Sequence, residues 1–190
     1  MEEPKLWQLF LNGDKKALSE IFLTYHDDLF RYGKKIAGNY HIVEDCIQDL
    51  FVKLWNNRKN LRPIQIIKPY LLRSLRNHVI DSLESLKDYK ITEDGSAELN
   101  QITYSHEDFL INNEVDEETR QKIIHALNQL KPNQKEIIYL RYFEDVDFEE
   151  IAKIMNMSVP SARNLLSKCM KVLRDIIIPE LFILMLCKVN

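Results

Sequence analysis

Residues Phe148–Arg174 read FEEIAKIMNMSVPSARNLLSKCMKVLR, the pattern of a short helix, a tight turn and a longer polar helix. Apolar residues recur at helical spacing in the first part, whose free amides Asp147 can cap. Asn156 is predicted to form the turn, because Asn tolerates the left-handed backbone conformation better than most residues. Ser158 can cap the second helix, with Pro160 in its first turn. A helix-turn-helix of this kind lays its second helix in the major groove of DNA.

The second helix of this motif has two different faces. Its spacing predicts a buried face formed by Ala162, Leu165, Leu166, Cys169 and Leu173. The residues left for a partner, called here the recognition face, are Ser161, Arg163, Asn164, Ser167, Lys168 and Lys171. Polar and basic side chains on such a helix favour contact with bases and phosphates. A helical hairpin without a DNA role is the alternative interpretation.

Composition and periodicity predict an all-α protein. The chain has 190 residues, 45% of them hydrophobic and only four glycines, so a packed helical core is feasible. Apolar residues at helical spacing predict further helices at about 5–11, 14–38, 41–55, 69–86, 115–130 and 132–143. This length accommodates two small helical domains.

Charge is distributed unevenly along the chain. The formal net charge is −3, but residues Glu84–Glu118 hold eleven acids and two lysines, a net charge of −9. The rest of the chain therefore carries +6. This asymmetry predicts two basic domains, 1–86 and 113–190, joined by a flexible acidic linker over 87–112. An inert spacer is the simplest role for that linker.

An acidic patch is predicted on the helix near residues 41–55. Asp45, Gln48 and Asp49 share the face opposite the apolar stripe of that helix. Carboxylates on a rigid helix suit arginines of a protein partner, because bidentate pairs are strong and geometrically selective. An ordinary solvated helix face is the alternative.

A run of cations follows this helix. Arg58, Lys59, Arg62, Lys68, Arg73 and Arg76, called here the basic track, lie in a stretch without acids between Asn56 and Ile80. Uncompensated cations at this density suit a phosphate backbone, and the side chain of Asn77 can pair with a base edge. Tyr70 is the only aromatic residue of the stretch. A solubilising basic surface is the alternative.

The sequence lacks the motifs of common enzymes. It has no glycine-rich phosphate loop, no HExxH and no GxSxG, and its five histidines are scattered. We therefore expect no catalytic residue and no cofactor. Cys46, Cys169 and Cys187 lie far apart, which favours reduced thiols in a cytoplasmic protein over a metal site. No signal peptide is recognised, and Pro179 interrupts an apolar tail at 176–189 that is too short to span a membrane.

The two halves together resemble the extracytoplasmic-function (ECF) class of the sigma-70 family of bacterial sigma factors. In the first half, the resemblance lies in VEDCIQDLFVKLW at 43–55 and YLLRSLRNHVID at 70–81. In the second half, it lies in LNQLKPNQKEIIYLR at 127–141 and in the helix-turn-helix. The similarity covers about 14–86 and 117–176, and implies a region-two domain followed by a region-four domain.

The resemblance implies a role for each predicted surface. The acidic patch would dock on the clamp coiled coil of core RNA polymerase, with the flap as a second contact. The basic track and Asn77 would read the −10 promoter element, and the recognition face the −35 element. The linker would run toward the active cleft. A membrane-bound anti-sigma factor is a further partner to consider, and no small-molecule substrate is implied.

Two other interpretations of the whole chain compete with this one. A helix-turn-helix regulator that does not contact polymerase would need neither the acidic patch nor the basic helix after it. A pure protein-interaction module would not need the cationic surfaces. The promoter sequence, the regulon and the inducing signal do not follow from the sequence.

Overall fold

The computed structural model describes residues 2–90, 102–105, 108 and 117–176. All regular elements within these ranges are helical, in agreement with the predicted fold class. The chain divides into two compact units, Met1–Gln101 and Ile102–Asn190. No helix in the described part of the chain is both long and apolar enough to cross a membrane.

Four helices form the first unit. They are α1 (Glu3–Leu11), α2 (Lys15–Ala37), α3 (Tyr40–Asn57) and α4 (Ile67–Lys90), with a 3-10 turn at Arg58–Asn60. Short polar side chains cap the starts of α2 and α3. The Asp14 carboxylate accepts the Lys16 amide over 2.7 Å at the start of α2. Gly38, at φ 64°, ends α2, and the Asn39 side chain caps α3.

Helices α2, α3 and α4 pack against one another around a single apolar core. Tyr32, Val43, Leu50 and Leu75 are each at most 2% exposed within it. Gly33 allows α2 and α3 to approach closely, because a Cβ atom there would lie 2.7 Å from Cγ1 of Val43. This packing fixes the outward faces of α3 and α4, which carry the predicted acidic patch and half of the basic track.

The second unit consists of short helices and one long helix. They are α5 (Glu117–Asn128), α6 (Pro132–Ile138), α7 (Phe148–Ile154) and α8 (Val159–Ile176). The single helix predicted over 132–143 changes its hydrogen bonding at Tyr139, where a π-helical turn runs to Phe143. In this wider turn the rings of Tyr139 and Phe143 stack with centroids 5.4 Å apart. Hydrophobic spacing alone does not distinguish such a turn from an α-helix.

Part of the predicted linker belongs to folded structure. Helix α4 continues to Lys90 rather than ending at Leu86. Ile102 and Tyr104 are 5% and 1% exposed, and the Tyr104 hydroxyl donates to the Lys135 carbonyl over 2.8 Å. The interpretation of 87–112 as continuous flexible linker is therefore too broad. Its remaining residues, apart from Thr103, Ser105 and Asp108, lie outside the described ranges, as does the apolar tail beyond residue 176.

The side chain of Asn128 holds this anchored segment. Its oxygen accepts the Tyr104 amide over 2.8 Å, and its nitrogen donates to the Tyr104 carbonyl over 2.9 Å. Both backbone groups of Tyr104 are thereby satisfied from α5, which a buried segment outside any helix requires. The ring of Tyr104 also packs 5.5 Å from that of Phe143. We call residues 102–105 the Tyr104 segment.

Candidate functional site

The acidic patch lies on the surface of α3 as predicted by its spacing. Asp45, Gln48 and Asp49 are all exposed, whereas the opposite face of the helix is buried. Val52, one turn further along, is 56% exposed and adds an apolar side chain to the patch. Carboxylates beside an exposed apolar group on a rigid helix are suited to contact with a basic protein surface.

The structure leaves part of the basic track facing solvent. Lys59, Arg62, Arg73 and Asn77 are exposed, and Arg76 is half-buried. Arg73, Arg76 and Asn77 share one side of α4, while Lys59 and Arg62 lie just before that helix, on the 3-10 turn and in the loop.

Lys68 and Arg58 of the predicted track contact other residues of the unit. The Lys68 ammonium lies 2.9 Å from an Asp28 carboxylate oxygen on α2, so this cation is compensated within the unit. The Arg58 guanidinium stacks 4.1 Å from the centre of the Trp55 ring and donates to the Trp55 carbonyl over 2.6 Å. Charge counting along the stretch missed the Lys68 pair, because its partner lies forty residues earlier in the chain.

Helix α1 binds the loop that precedes α4, which the sequence analysis did not anticipate. Nε1 of Trp7 donates to the Arg62 carbonyl over 3.0 Å. A Glu3 carboxylate oxygen accepts the Ile67 amide over 2.6 Å, at the first residue of α4. No local signal could have identified either contact, because the partners are 55 and 64 residues apart.

A cleft of about 210 Å³ lies between α3 and α4, next to the basic track. It is lined by Leu50, Lys53, Leu54, Asn57, Leu61, Tyr70, Ser74 and His78. Nε2 of His78 lies 3.2 Å from the Lys53 ammonium. Burial, and then the Lys53 charge, lower the pKa of His78, which favours the neutral imidazole. With leucines on one hand and Lys53, Asn57 and His78 on the other, the cleft has both apolar and polar walls.

The helix-turn-helix forms as the sequence predicts. The Asp147 carboxylate accepts the Glu150 amide over 2.8 Å at the start of α7. Asn156 adopts φ 53° at the turn, the left-handed conformation expected there. The Ser158 hydroxyl accepts the Ser161 amide over 3.2 Å and so caps α8. These caps fix the direction in which α8 leaves the turn.

All six residues of the recognition face are exposed along one side of α8. The opposite side is buried at Ala162, Leu166, Cys169 and Leu173, whereas Leu165, predicted to be buried, is only half-buried. Leu165 lies at the border between the two faces, which explains its intermediate exposure.

Arg163, on the recognition face, contacts two residues of α7. Its guanidinium lies 3.3 Å from a Glu149 carboxylate oxygen on α7 and 5.5 Å from the centre of the Phe148 ring. Both charged side chains of this pair are more than half exposed. An exposed pair of this kind is weak, so the guanidinium can exchange Glu149 for another anion.

Two of the three cysteines lie within the described residues. Cys46 and Cys169 are buried and free, and Cys187 lies outside the described residues. Burial raises the pKa of the Cys169 thiol to about 12, which keeps it protonated. Among the residues that the structure describes, no group of three His, Cys, Asp or Glu side chains could hold a metal ion.

Two family models match this chain, one in each unit. Residues 21–88 match Sigma-70 region 2, which spans the acidic patch and the basic track. Residues 120–173 match Sigma-70, region 4, which spans the helix-turn-helix. The chain belongs to the sigma-70 family. The order of the two regions in this sigma factor is the one that the sequence predicts.

Named relatives of this sigma factor include ECF sigma factors. The chain is 24% identical over 171 residues to the ECF RNA polymerase sigma factor SigW of Bacillus subtilis, covering 85% of this chain and 89% of the relative. It is 27% identical over 160 residues to the RNA polymerase sigma factor SigV of the same organism, covering 84% and 90%. The resemblance to ECF sigma factors is thereby confirmed.

Solved structures share the fold of this sigma factor. The sigma factor RpoE of Bartonella quintana, solved with the anti-sigma factor NepR, superposes with a TM-score of 0.64 at 19% identity. That comparison covers 85% of this chain and 96% of the other. CnrH, solved with the cytosolic domain of CnrY, superposes with a TM-score of 0.62 at 16% identity, covering 92% and 96%.

Proposed function

We propose that this ECF sigma factor binds core RNA polymerase through the acidic patch and selects promoters through two DNA-reading surfaces. The observation that carries the proposal is that one chain combines an exposed carboxylate patch on α3 with a capped helix-turn-helix. A DNA-binding regulator that does not contact polymerase would not need the region 2 unit. As a sigma factor, the protein directs promoter-specific initiation of transcription with core RNA polymerase.

The first DNA-reading surface is assigned to the −10 element. Lys59, Arg62 and Arg73 present cations for phosphates, and Asn77 presents an amide for a base edge. The cleft between α3 and α4 is the candidate receptor for a base extruded from the non-template strand, because Tyr70 and Leu61 give it apolar walls and Asn57 polar groups.

The basic track remains part of this proposal with two amendments. Arg58 and Lys68 contribute to the surface charge, but their positions are fixed by Trp55 and Asp28. We therefore propose that Arg58 and Lys68 support the loop and α4. We assign the direct phosphate contacts to the exposed cations Lys59, Arg62 and Arg73. Arg76 is half-buried and lies beside them on α4.

The second DNA-reading surface is assigned to the −35 element. Ser161, Arg163 and Asn164 lie in the first turns of α8, the part of a recognition helix that enters the major groove. Ser167, Lys168 and Lys171 continue along the same side toward the phosphates. Binding by two small surfaces, each weak alone, gains strength when polymerase holds both on one promoter.

We further propose a protein that is cytoplasmic and has no catalytic residue or cofactor of its own. The surfaces described above bind protein and nucleic acid, and polymerase supplies the chemistry. Two structural neighbours are ECF-like folds solved with anti-sigma factors or with the cytosolic domain of a partner. An anti-sigma factor, anchored in the membrane, is therefore the regulatory partner to look for with this chain.

Transcription in vitro tests the proposed function. Purified protein is added to sigma-free core polymerase from its own host with a library of genomic fragments, and RNA 5′ ends are sequenced. We expect discrete start sites that share two spaced upstream elements. Folded protein that yields no start site and does not co-elute with core polymerase would favour a DNA-binding regulator instead.

Replacing Glu149 by Gln is expected to tighten binding of a −35 duplex about 2- to 5-fold at low salt, because an exposed ion pair is worth about 0.2–1 kcal/mol. The change frees Arg163 from its 3.3 Å partner and removes a charge that repels phosphates. The gain should shrink as salt rises. Fluorescence anisotropy with labelled duplex measures both effects.

Glu150→Gln is the matched control for this prediction. Glu150 lies in the same first turn of α7, but its carboxylate binds Lys153 over 2.6 Å. This variant has the same charge change without releasing Arg163, so a smaller gain is expected. Weaker binding by Glu149→Gln would show instead that Glu149 orients Arg163 for DNA.

A further inference from the structure

The loop between the 3-10 turn and α4 depends on helix α1 for its shape. Residues 61–66 contain no helix or strand, so hydrogen bonds from outside must hold their backbone. Trp7 binds the Arg62 carbonyl over 3.0 Å, and Glu3 binds the Ile67 amide over 2.6 Å. One helix thus fixes the loop near its beginning and at its end. We call residues 61–66 the reading loop.

Both residues that make these contacts are held by neighbouring side chains. Trp7 is 1% exposed, and its ring packs 4.9 Å from Phe10 and 5.3 Å from Tyr70. The Glu3 carboxylate also hydrogen-bonds the buried Tyr25 hydroxyl and thereby helps to raise its pKa, although burial is the larger cause. Glu3 therefore joins α1, α2 and the first turn of α4. These two contacts restrict the backbone of the loop before any ligand binds.

The side chains of the reading loop point outward from this support. Arg62 and Gln65 are exposed, and Ile66 is 50% exposed. The loop also adjoins the cleft, to which it contributes Leu61. The loop thus has exposed side chains for DNA, while its backbone is held by two contacts from α1.

We propose that Trp7 and Glu3 are positioning residues for recognition of the −10 element. They touch no DNA themselves, but they set the backbone that presents Arg62 and shapes the mouth of the cleft. A loop ordered in advance avoids the entropy loss of ordering on DNA, so it binds more tightly and discriminates better between bases. This inference rests on the proposed function of the reading loop.

Trp7→Phe tests the hydrogen bond while retaining an aromatic ring in the core. The holoenzyme is titrated with a fork DNA whose single-stranded non-template segment carries the −10 sequence mapped by transcription. We expect binding about 3- to 10-fold weaker, the usual effect of losing one hydrogen bond. The ratio of affinities for the mapped sequence and for one with a single substituted base should also fall.

Glu3 provides the second variant pair. Glu3→Ala removes the acceptor of the Ile67 amide and should weaken fork binding to a similar extent, whereas Glu3→Gln keeps an acceptor oxygen and should recover most of it. Gln8→Ala is the matched control on α1. The Gln8 side chain is exposed and donates a hydrogen bond to Asn12 rather than to the reading loop. This variant should bind as the unchanged protein does.

Core polymerase binding separates positioning from simple damage to the fold. The acidic patch lies in the same unit as the reading loop, so a merely unfolded variant would lose core binding as well. Wild-type fork affinity and discrimination in Trp7→Phe and Glu3→Ala would overturn the positioning role. Arg62→Ala distinguishes failure of the positioning role from failure of the proposed function of the loop. If this variant also leaves fork binding unchanged, the assignment of the reading loop to the −10 element is wrong as well.

Discussion

Replacing Asp49 by Arg is expected to abolish binding to core RNA polymerase, with an affinity roughly 100-fold lower or worse. Like charges placed together in an interface cost several kcal/mol, and each factor of ten corresponds to about 1.4 kcal/mol. Asp49 is exposed in the middle of the acidic patch, beside Gln48 and one turn from Asp45. A basic partner surface that fits the patch would therefore meet a cation in place of a carboxylate.

The fold should tolerate this change, because exposed substitutions usually alter the free energy of unfolding by less than about 0.5 kcal/mol. Asp27→Arg is the matched control: its side chain is 87% exposed on α2, and the substitution makes the same charge change outside the patch. Titration of labelled core polymerase measures affinity, and thermal unfolding checks the fold. Normal core binding by Asp49→Arg would contradict the role of the patch.

Local chemistry made most helices and several of their caps predictable from sequence. Asp14, Asn39 and Ser158 cap helices because short polar side chains satisfy free amides at a helix start. Asn156 adopts the left-handed conformation that the turn of the helix-turn-helix requires. Each of these features depends on residues within a few positions, so a single sequence contains the whole signal.

The exposed faces were predictable for the same reason. The acidic patch and the recognition face follow from helical spacing once the buried stripe is known. Helix α3 shows this most clearly, since Cys46 and Leu50 are buried while Asp45 and Asp49 are exposed. Leu165 is an exception, because a residue at the border of a stripe has no exposure fixed by spacing alone.

Contacts between distant residues could not be predicted. Lys68 pairs with Asp28, and Trp7 donates to the backbone carbonyl of Arg62; nothing near residue 68 or residue 62 in the sequence indicates these partners. The interpretation of the basic track counted every cation in the stretch as available. The positions of these side chains depend on how α1 and α2 pack against α4, which is a property of tertiary structure.

The predicted linker shows a different limit. Net charge and weak periodicity describe 87–112 correctly as acidic and polar, but two buried residues, Ile102 and Tyr104, suffice to attach a short segment to the second unit. An isolated pair of apolar residues two positions apart has no period that distinguishes it from linker. The Asn128 side chain that binds the Tyr104 backbone is likewise ordinary in sequence.

Replacing Tyr104 by Ala is expected to destabilise the second unit by about 3–5 kcal/mol, the usual cost of deleting a buried aromatic ring. The ring is 1% exposed and packs against Phe143, and burial raises the pKa of the hydroxyl, which therefore keeps the proton it donates to Lys135. Tyr104→Phe should cost only about 1 kcal/mol, because it loses the hydrogen bond and keeps the ring.

Two probes distinguish the units in the full chain. Both tryptophans, Trp7 and Trp55, lie in the first unit, so their fluorescence during urea unfolding should be unchanged in Tyr104→Ala. Amide hydrogen exchange in α8 should accelerate by roughly 100-fold or more, since each factor of ten reflects about 1.4 kcal/mol of opening free energy. Thr103→Ala, at the exposed neighbouring position, is the control. Unchanged exchange in α8 would mean that the Tyr104 segment lies on the second unit without stabilising it.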